Sequence, residues 1–220
     1  MSDAEAKAMM EKAFYRWGLP RRIKIDNGYP FVKIRSLDLP SLLVLWWIGL
    51  GIEVTFNRPA TPQQNGTVEG LQNISNRWVN PALYSSATEL QLAMDEVVRR
   101  QRETYRIPSK GHKTRAELYP ELEKPLKMYD PGAFSIQRVK EYLAQQVFER
   151  HVGPKGSISF SSCTIYLGYK YRKQTVTVTY DPLNSTWIVR SVKGQDLLVM
   201  EKPFITEQHI LNLIPISKNE

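Results

Sequence analysis

Two carboxylates, Asp26 and Glu69, have the type and placement that metal-dependent phosphoryl transfer requires. Asp26 directly follows a β-branched run from Ile23 to Ile25 in "IKIDNGYPF", and Glu69 comes after a second short strand, in "TPQQNGTVEG". The carboxyl ends of parallel strands share one edge of a sheet, so a strand-end Asp and a Glu on a helix packed there can converge. Because Mg²⁺ and Mn²⁺ prefer oxygen ligands, the pair predicts a site for divalent metal ions.

The residues around Asp26 also suit a turn with no catalytic role. Asn27 and Gly28 tolerate positive φ, and an Asp side chain can bond the backbone two residues further on. The spacing of Asp26 and Glu69 is only weakly specific. On local sequence alone, the turn and the metal site are both open interpretations.

Helix and strand signals alternate around Asp26 as a parallel α/β layer requires. Helical periodicity from Ala8 to Trp17 ends at Gly18. The pattern then predicts a strand at Arg22 to Ile25, a helix from Pro40 through Leu50, and a strand in "IEVTF" after Gly51. The order helix, strand, helix, strand predicts a parallel arrangement of the two strands.

The helix that contains Glu69 has two candidate starts. Thr61 is a helix cap with Pro and Gln at the expected following positions, and a start near Asn65 is the alternative. Either start places Glu69 in the early turns, on a polar face beside the apolar stripe. A further helix is predicted from the capping box formed by Ser86 and Glu89.

The pattern changes from helical spacing to alternation in the last third of the chain. Residues 125–132 are rich in turn formers and predict a linker between a core at 1–124 and a C-terminal part at 133–220. The later segments "GSISFSS", "CTIYLGYKY", "QTVTVTYDP", "TWIVRSV" and "DLLVMEKP" alternate with period two. They predict a small all-β barrel or sandwich.

The composition is that of an ordinary folded protein with excess positive charge. The 220 residues include 30 Lys and Arg against 22 Asp and Glu, a net charge of +8 that favours a polyanionic partner such as nucleic acid.

A single cysteine, Cys163, excludes an intramolecular disulfide framework, and three histidines are too few for a Cys/His zinc cluster. The N-terminus is typical of an amphipathic helix rather than a signal peptide, and the apolar run "LPSLLVLWWIGLGI" is too short to span a bilayer. These features predict a cytoplasmic protein with no membrane partner.

The runs "WGLPRRIKIDNGYPF", "LPSLLVLWWIGLGIEVTFNRPATPQQNGTVEGLQ" and "KTRAELYP" resemble the catalytic core of retroviral-type integrases and bacterial insertion-sequence transposases, the DDE superfamily. The resemblance covers about residues 10–120 and implies a ribonuclease H-like α/β fold. It implies that Asp26 and Glu69 are catalytic residues and metal ligands, and that two Mg²⁺ (or Mn²⁺) ions support DNA-end processing and strand transfer. The C-terminal part resembles the DNA-binding barrel of these transposases. Double-stranded DNA is the implied partner and the bacterial nucleoid the implied location.

The family places its first catalytic Asp on an opening strand, which this sequence does not show. We therefore expect an incomplete core that lacks the opening strands, an incomplete metal site, and a truncated transposase product. Without those strands, the helix with Leu43, Leu45, Trp46 and Ile48 is expected to expose apolar surface and to favour a homo-oligomer. The alternatives are a non-enzymatic DNA-binding fragment or inhibitor of an intact transposase, and a silent remnant.

Several basic and aromatic side chains are candidate DNA contacts. The basic stretch Arg99 to Arg102, continued by Lys110, Lys113 and Arg115, could meet phosphates or form a solvated helix face. In the C-terminal part, basic and aromatic residues interleave, which suits phosphate contact and base stacking but also strand packing. The residues assigned to DNA binding are Asn73, Arg77, Lys110, Lys113, Arg115, Lys170, Arg172 and Lys173, and the interleaved aromatic residues are Tyr166 and Tyr171.

Overall fold

The computed structural model describes residues 2–25, 39–57, 66–120, 124–125, 127–161 and 163–214, and within them the chain is a mixed α/β protein. The helices are α1 (Asp3–Trp17), α2 (Leu42–Gly49), α3 (Gly66–Trp78), α4 (Ala87–Glu103), α5 (Arg115–Leu118), α6 (Ile136–Ala144) and α7 (Glu207–Leu211). The strands are β1 (Arg22–Ile25), β2 (Glu53–Phe56), β3 (Val147–His151), β4 (Ser157–Phe160), β5 (Cys163–Tyr166), β6 (Thr175–Asp181), β7 (Thr186–Ser191) and β8 (Asp196–Met200).

The chain divides into two compact units. Unit 1 contains Met1–Lys12, Pro20–Phe56 and Asp130–Glu220, and unit 2 contains Ala13–Leu19 and Asn57–Tyr129. Unit 1 therefore contains β1, α2 and β2 together with all the strands of the C-terminal part. The predicted division of the sequence at residues 125–132 stays a prediction.

Strands β1 and β2 form the parallel pair that the sequence predicted. Their register runs from Arg22 opposite Glu53 to Ile25 opposite Phe56, and α2 connects them. Gly51 follows α2 with φ of +82°, a left-handed conformation that glycine adopts without steric cost. The predicted order of helices and strands is confirmed here.

Helix α2 is the most deeply buried element of unit 1. All eight of its residues are buried, with Leu43, Val44 and Leu45 fully inaccessible to solvent. A helix that is apolar on every side must be covered on every side, and α6, α7 and β2 pack on it. The prediction that this helix exposes an apolar patch is therefore wrong, and the predicted homo-oligomer stays a prediction without that support. None of the described helices has both the length and the apolar character needed to cross a membrane.

Helix α6 is anchored to the carboxyl end of α2 through Gly49. The Gly49 carbonyl oxygen accepts hydrogen bonds from the backbone N–H of Ser135 at 2.9 Å and from Arg138 Nη1 at 2.8 Å. The ring of Phe134 lies directly against the Gly49 Cα, where a side chain would otherwise stand. The absence of a Cβ at Gly49 is thus what lets the α6 segment approach α2.

The C-terminal strands form an open sheet and a separate ladder. Strands β3, β6, β7 and β8 pair antiparallel in that order, whereas β4 pairs antiparallel with β5. Their aromatic core centres on buried Trp187, whose ring contacts Phe148, Phe160 and Tyr180 at centroid distances between 4.8 and 6.1 Å. Trp187 Nε1 donates to the Pro203 carbonyl oxygen at 3.1 Å, which satisfies the polar edge of the ring. Across the described residues these ladders do not close, so the predicted barrel is corrected to an open sheet beside a two-stranded ladder.

Two elements of the C-terminal part were missed by the alternation pattern. Helix α6 buries Val139 and Leu143, four residues apart as helical spacing requires, and β3 follows it directly. Lys170 and Tyr171, which the pattern placed in a strand, lie in a 3₁₀ turn at Tyr169–Tyr171. Short segments with few apolar residues show too weak a hydrophobic periodicity to distinguish a helix or a turn from a strand.

We predict that Gly49→Ala destabilises the protein by about 1–3 kcal/mol, because the new methyl group overlaps the Phe134 ring in a packed junction. The free energy of unfolding in urea measures the effect. Gly70→Ala is the matched control, since Gly70 is an exposed residue of α3 and a Cβ there meets nothing within 4 Å. That control is expected to be neutral or to stabilise by up to about 1 kcal/mol. Equal effects of the two variants would contradict the packing described for Gly49.

Candidate nucleic-acid interface

The ends of β1 and β2 provide the sheet edge at which the two carboxylates were predicted. Ile25, the last residue of β1, is opposite Phe56, the last residue of β2, so both strands end at one edge. Asp26 follows Ile25 in the chain and lies outside the described residues, and Glu69 belongs to α3 with a side chain that also lies outside them. Within the described ranges, no three His, Cys, Asp or Glu side chains cluster as a metal site would need. The Mg²⁺ or Mn²⁺ site at Asp26 and Glu69 stays a prediction.

Helix α3 presents Asn73 and Arg77 on its exposed side. The two residues are four positions apart, and Glu69 precedes Asn73 by the same interval, so the three positions follow one face of the helix. Trp78, next to Arg77 in the chain, packs within unit 2, where its ring meets the Tyr105 ring at 5.9 Å. Asn73 and Arg77 are accessible for the DNA contact that the sequence analysis assigned to them.

The arginines of α4 are engaged in contacts within unit 2. Arg99 forms an ion pair with Glu96 at 2.7 Å, and its hydrogen bond lowers the pKa of the Glu96 carboxyl. Arg100 lies over the Trp78 ring at 4.6 Å, and Arg102 lies over a different tryptophan ring, that of Trp17, at 4.5 Å. These contacts favour a structural role for the α4 arginines over the phosphate contact considered for the basic stretch.

Arg115 has a structural partner, whereas Lys110 and Lys113 are exposed. Arg115 Nη1 donates to the Gln101 carbonyl oxygen at 3.0 Å and so ties α5 to α4. A capping box between Thr114 and Glu117 fixes the start of α5, and the Thr114 N–H bond lowers the pKa of Glu117. Lys110 and Lys113 lie beside a short turn with exposed side chains. Of this predicted group, the two lysines are the better placed for an external anion.

The β4–β5 ladder has one apolar face and one hydroxyl-bearing face. Ser157 is opposite Tyr166 and Ser159 is opposite Thr164, so these four side chains share a face. On the other face, Ile158 and Phe160 are buried. Tyr166 is 60% exposed, which excludes the strand-packing role considered for it. We call the face of Ser157, Ser159, Thr164 and Tyr166 the hydroxyl face.

The loop at residues 167–174 continues the hydroxyl face with basic side chains. Lys170, Arg172 and Lys173 are all exposed, and Tyr169 is 62% exposed. None of the three cations forms an ion pair with another described residue. Backbone hydrogen bonds from Lys173 N to the Val152 oxygen at 2.9 Å and from Val152 N to the Gln174 oxygen at 2.8 Å close the loop. We call residues 167–174 the basic loop.

A tight turn at residues 153–156 supports the basic loop. The Gly156 carbonyl oxygen accepts hydrogen bonds from Leu167 N at 2.8 Å and Gly168 N at 3.1 Å. Lys155 is exposed on the same turn and adds a cation that the sequence analysis missed. The signal was present in the sequence, because the stretch from Val152 to Tyr180 has four Lys and Arg residues and no Asp or Glu. An uninterrupted cationic stretch of this kind attracts anions.

No protein-family model matches the chain. The resemblance to DDE transposases and integrases therefore depends on the motif residues themselves. What the structure adds is a surface that combines hydroxyl groups, exposed tyrosines and exposed cations within unit 1.

We predict that Gly156→Ala disturbs the basic loop and destabilises the protein by about 1–3 kcal/mol. Gly156 has φ of +74°, and a Cβ there would lie 2.6 Å from the carbonyl carbon of Gly168. Gly153→Ala is the matched control in the same turn, since its Cβ would meet only the Ser157 oxygen at 3.4 Å. Thermal unfolding compares the two variants. A Gly153→Ala variant that is as unstable as Gly156→Ala would show that the turn does not depend on Gly156.

Proposed function

We propose that this chain binds double-stranded DNA through the hydroxyl face and the basic loop, as part of a DDE-type transposase or integrase. The observation that carries the proposal is the acid-free stretch from Val152 to Tyr180, whose cations Lys170, Arg172 and Lys173 are exposed and free of described ion pairs. Cations that form no described ion pair can neutralise phosphates without first breaking one. A chain that binds DNA in this way would be associated with the nucleoid.

The hydroxyl face supports the same proposal because it offers neutral donors beside the cations. Most protein–DNA hydrogen bonds go to phosphate and sugar, and Ser, Thr and Tyr hydroxyls are common donors in them. Ser159 and Thr164 are exposed and face each other across the ladder. Such contacts position a duplex without selecting its sequence, so we expect binding to be general rather than sequence-specific.

The catalytic part of the proposal concerns Asp26 and Glu69 in a ribonuclease H-like core. The parallel pairing of β1 with β2, and the position of Glu69 in the helix after β2, support it, since position 26 follows the shared strand edge. When bound, Mg²⁺ or Mn²⁺ would activate a nucleophile and stabilise a leaving oxygen of DNA. The two carboxylates would hold the ions, and Asn73 and Arg77 are candidate DNA contacts on the same helix as Glu69.

The salt dependence of DNA affinity tests the binding proposal. We predict that replacing Lys170, Arg172 and Lys173 together by Gln weakens binding to all duplex sequences alike. The slope of log affinity against log salt should become shallower by about 0.9 for each phosphate that the variant no longer neutralises. Fluorescence anisotropy with two unrelated duplexes at several salt concentrations gives both quantities.

The matched control removes the same charge elsewhere in unit 1. Lys12, Lys193 and Lys202 are exposed residues outside the hydroxyl face and the basic loop, and their combined replacement by Gln keeps the net charge equal to that of the first variant. This control should retain most of the affinity. If affinity falls equally in the two triple variants, binding reflects net charge and not the proposed surface.

For the catalytic part, we predict that Asp26→Asn and Glu69→Gln each weaken Mn²⁺ binding by at least about tenfold, the effect that removing even a supporting group of a metal site can have. DNA affinity in the absence of metal should stay within about twofold, since neither residue belongs to the proposed DNA surface of unit 1. Electron paramagnetic resonance of free Mn²⁺ measures the first quantity. Glu201→Gln is the control, because Glu201 is an exposed carboxylate remote in sequence from both residues. Unchanged Mn²⁺ binding in both variants would favour the alternative of a non-enzymatic DNA-binding protein.

A further inference from the structure

Two large aromatic side chains stand exposed at the junction of the hydroxyl face and the basic loop. Tyr166 ends β5 and Tyr169 begins the 3₁₀ turn, with exposed fractions of 60% and 62%. Their ring centroids are 5.9 Å apart at an interplanar angle of 75°. The edge-to-face contact orders the two rings with respect to each other while both keep most of their surface in solvent.

The two exposed tyrosine rings are not part of the buried aromatic core. The aromatic core of the C-terminal sheet is formed by Phe148, Phe160, Tyr180 and Trp187, all of them buried. Tyr166 points to the opposite face of the ladder from buried Ile158 and Phe160, as strand alternation dictates. Tyr171 differs from the other two, because it is only half-buried and Lys170 Nζ lies 4.9 Å from its ring centroid.

A base without a pairing partner fits exposed tyrosine rings of this kind. Bases inside a duplex already stack on their neighbours, whereas an unpaired base offers a free π face to an aromatic side chain. The cations at Lys170, Arg172 and Lys173 lie within a few residues of the two tyrosines, so they can hold the phosphates of the same strand. Exposed aromatic rings combined with exposed cations are the features of surfaces that bind single strands.

We infer that Tyr166 and Tyr169 stack on unpaired bases, so that the chain prefers DNA with a single-stranded or frayed end over uniform duplex. This inference rests on the proposed DNA binding of the same surface, and it specifies which form of DNA that surface prefers. The basic loop supplies affinity for any DNA backbone, and the two tyrosines supply the preference for ends. Stacking on one base is expected to tighten binding by roughly 5- to 100-fold.

The test compares the wild-type chain on three labelled DNAs by fluorescence anisotropy. These are a blunt duplex, the same duplex with a single-stranded overhang, and the same overhang built from abasic nucleotides. The abasic overhang keeps every phosphate and removes every base. We expect the ordinary overhang to bind most tightly. The abasic overhang should exceed the blunt duplex in affinity only by as much as its additional phosphates explain.

Two pairs of variants assign the preference to the tyrosines. Tyr166→Leu and Tyr169→Leu keep apolar bulk but remove the π face, and should abolish the difference between the ordinary and abasic overhangs. Tyr166→Phe and Tyr169→Phe keep the ring and should retain that difference. Circular dichroism shows whether the four variants are folded. Because each variant removes a hydroxyl group from the proposed duplex surface, the quantity compared is the ratio of the affinities for the ordinary and abasic overhangs within each variant.

The outcomes separate this inference from the function on which it rests. If the wild-type chain binds the blunt duplex, fails to bind it when Lys170, Arg172 and Lys173 are replaced, and binds both overhangs equally, the stacking inference is overturned while the proposed function stands. A preference that survives both Leu substitutions also overturns it. If the wild-type chain binds none of the three DNAs, the proposed function fails and the inference fails with it.

Discussion

The burial of α2 is the constraint on which the arrangement of unit 1 depends. The helix is apolar on every side and connects β1 with β2, so these strands cannot be placed without covering it. Helices α6 and α7 provide much of that cover, and the Gly49 carbonyl oxygen is held by the Ser135 N–H and by Arg138. The C-terminal strands follow α6 directly. The cover of α2 therefore links the α/β pair and the β-rich part into one compact unit.

Two groups of basic side chains in this chain differ in their contacts within the protein. The α4 arginines contact Glu96, Trp78 and Trp17 within unit 2, and Arg115 bonds the Gln101 carbonyl oxygen. A cation held in this way would have to give up an internal partner before it could meet a phosphate. The basic loop of unit 1 has no carboxylate near it in sequence, and its cations are exposed, with Lys170 Nζ 4.9 Å from the Tyr171 ring centroid of the same loop. This difference, and not the net charge of +8, locates the proposed DNA surface.

The hydroxyl face and the basic loop depend on backbone geometry as much as on side chains. The strand alternation of β5 directs Tyr166 and Thr164 outward, and the turn at Gly156 accepts the hydrogen bonds that position residues 167 and 168. A two-stranded ladder that continues into a basic and aromatic loop suits a ligand with a charged backbone and flat bases. The proposed preference for unpaired bases follows from that combination.

The sequence by itself determined the order of elements up to α4, the parallel pairing of β1 with β2, and the identity of the residues in the basic loop. Gly51 ended α2, and Ser86 capped α4 as predicted, because caps and breakers act through neighbouring backbone atoms. The Glu89 carboxylate also accepts hydrogen bonds from the N–H and the hydroxyl of Ser85, the residue before the cap. Tertiary structure alone decided the cover of α2, the open arrangement of the C-terminal strands, and the contacts of Arg100 and Arg102 with the Trp78 and Trp17 rings. Each of these depends on contacts between residues far apart in the chain, and local periodicity contains no information about which distant partner fills a given face.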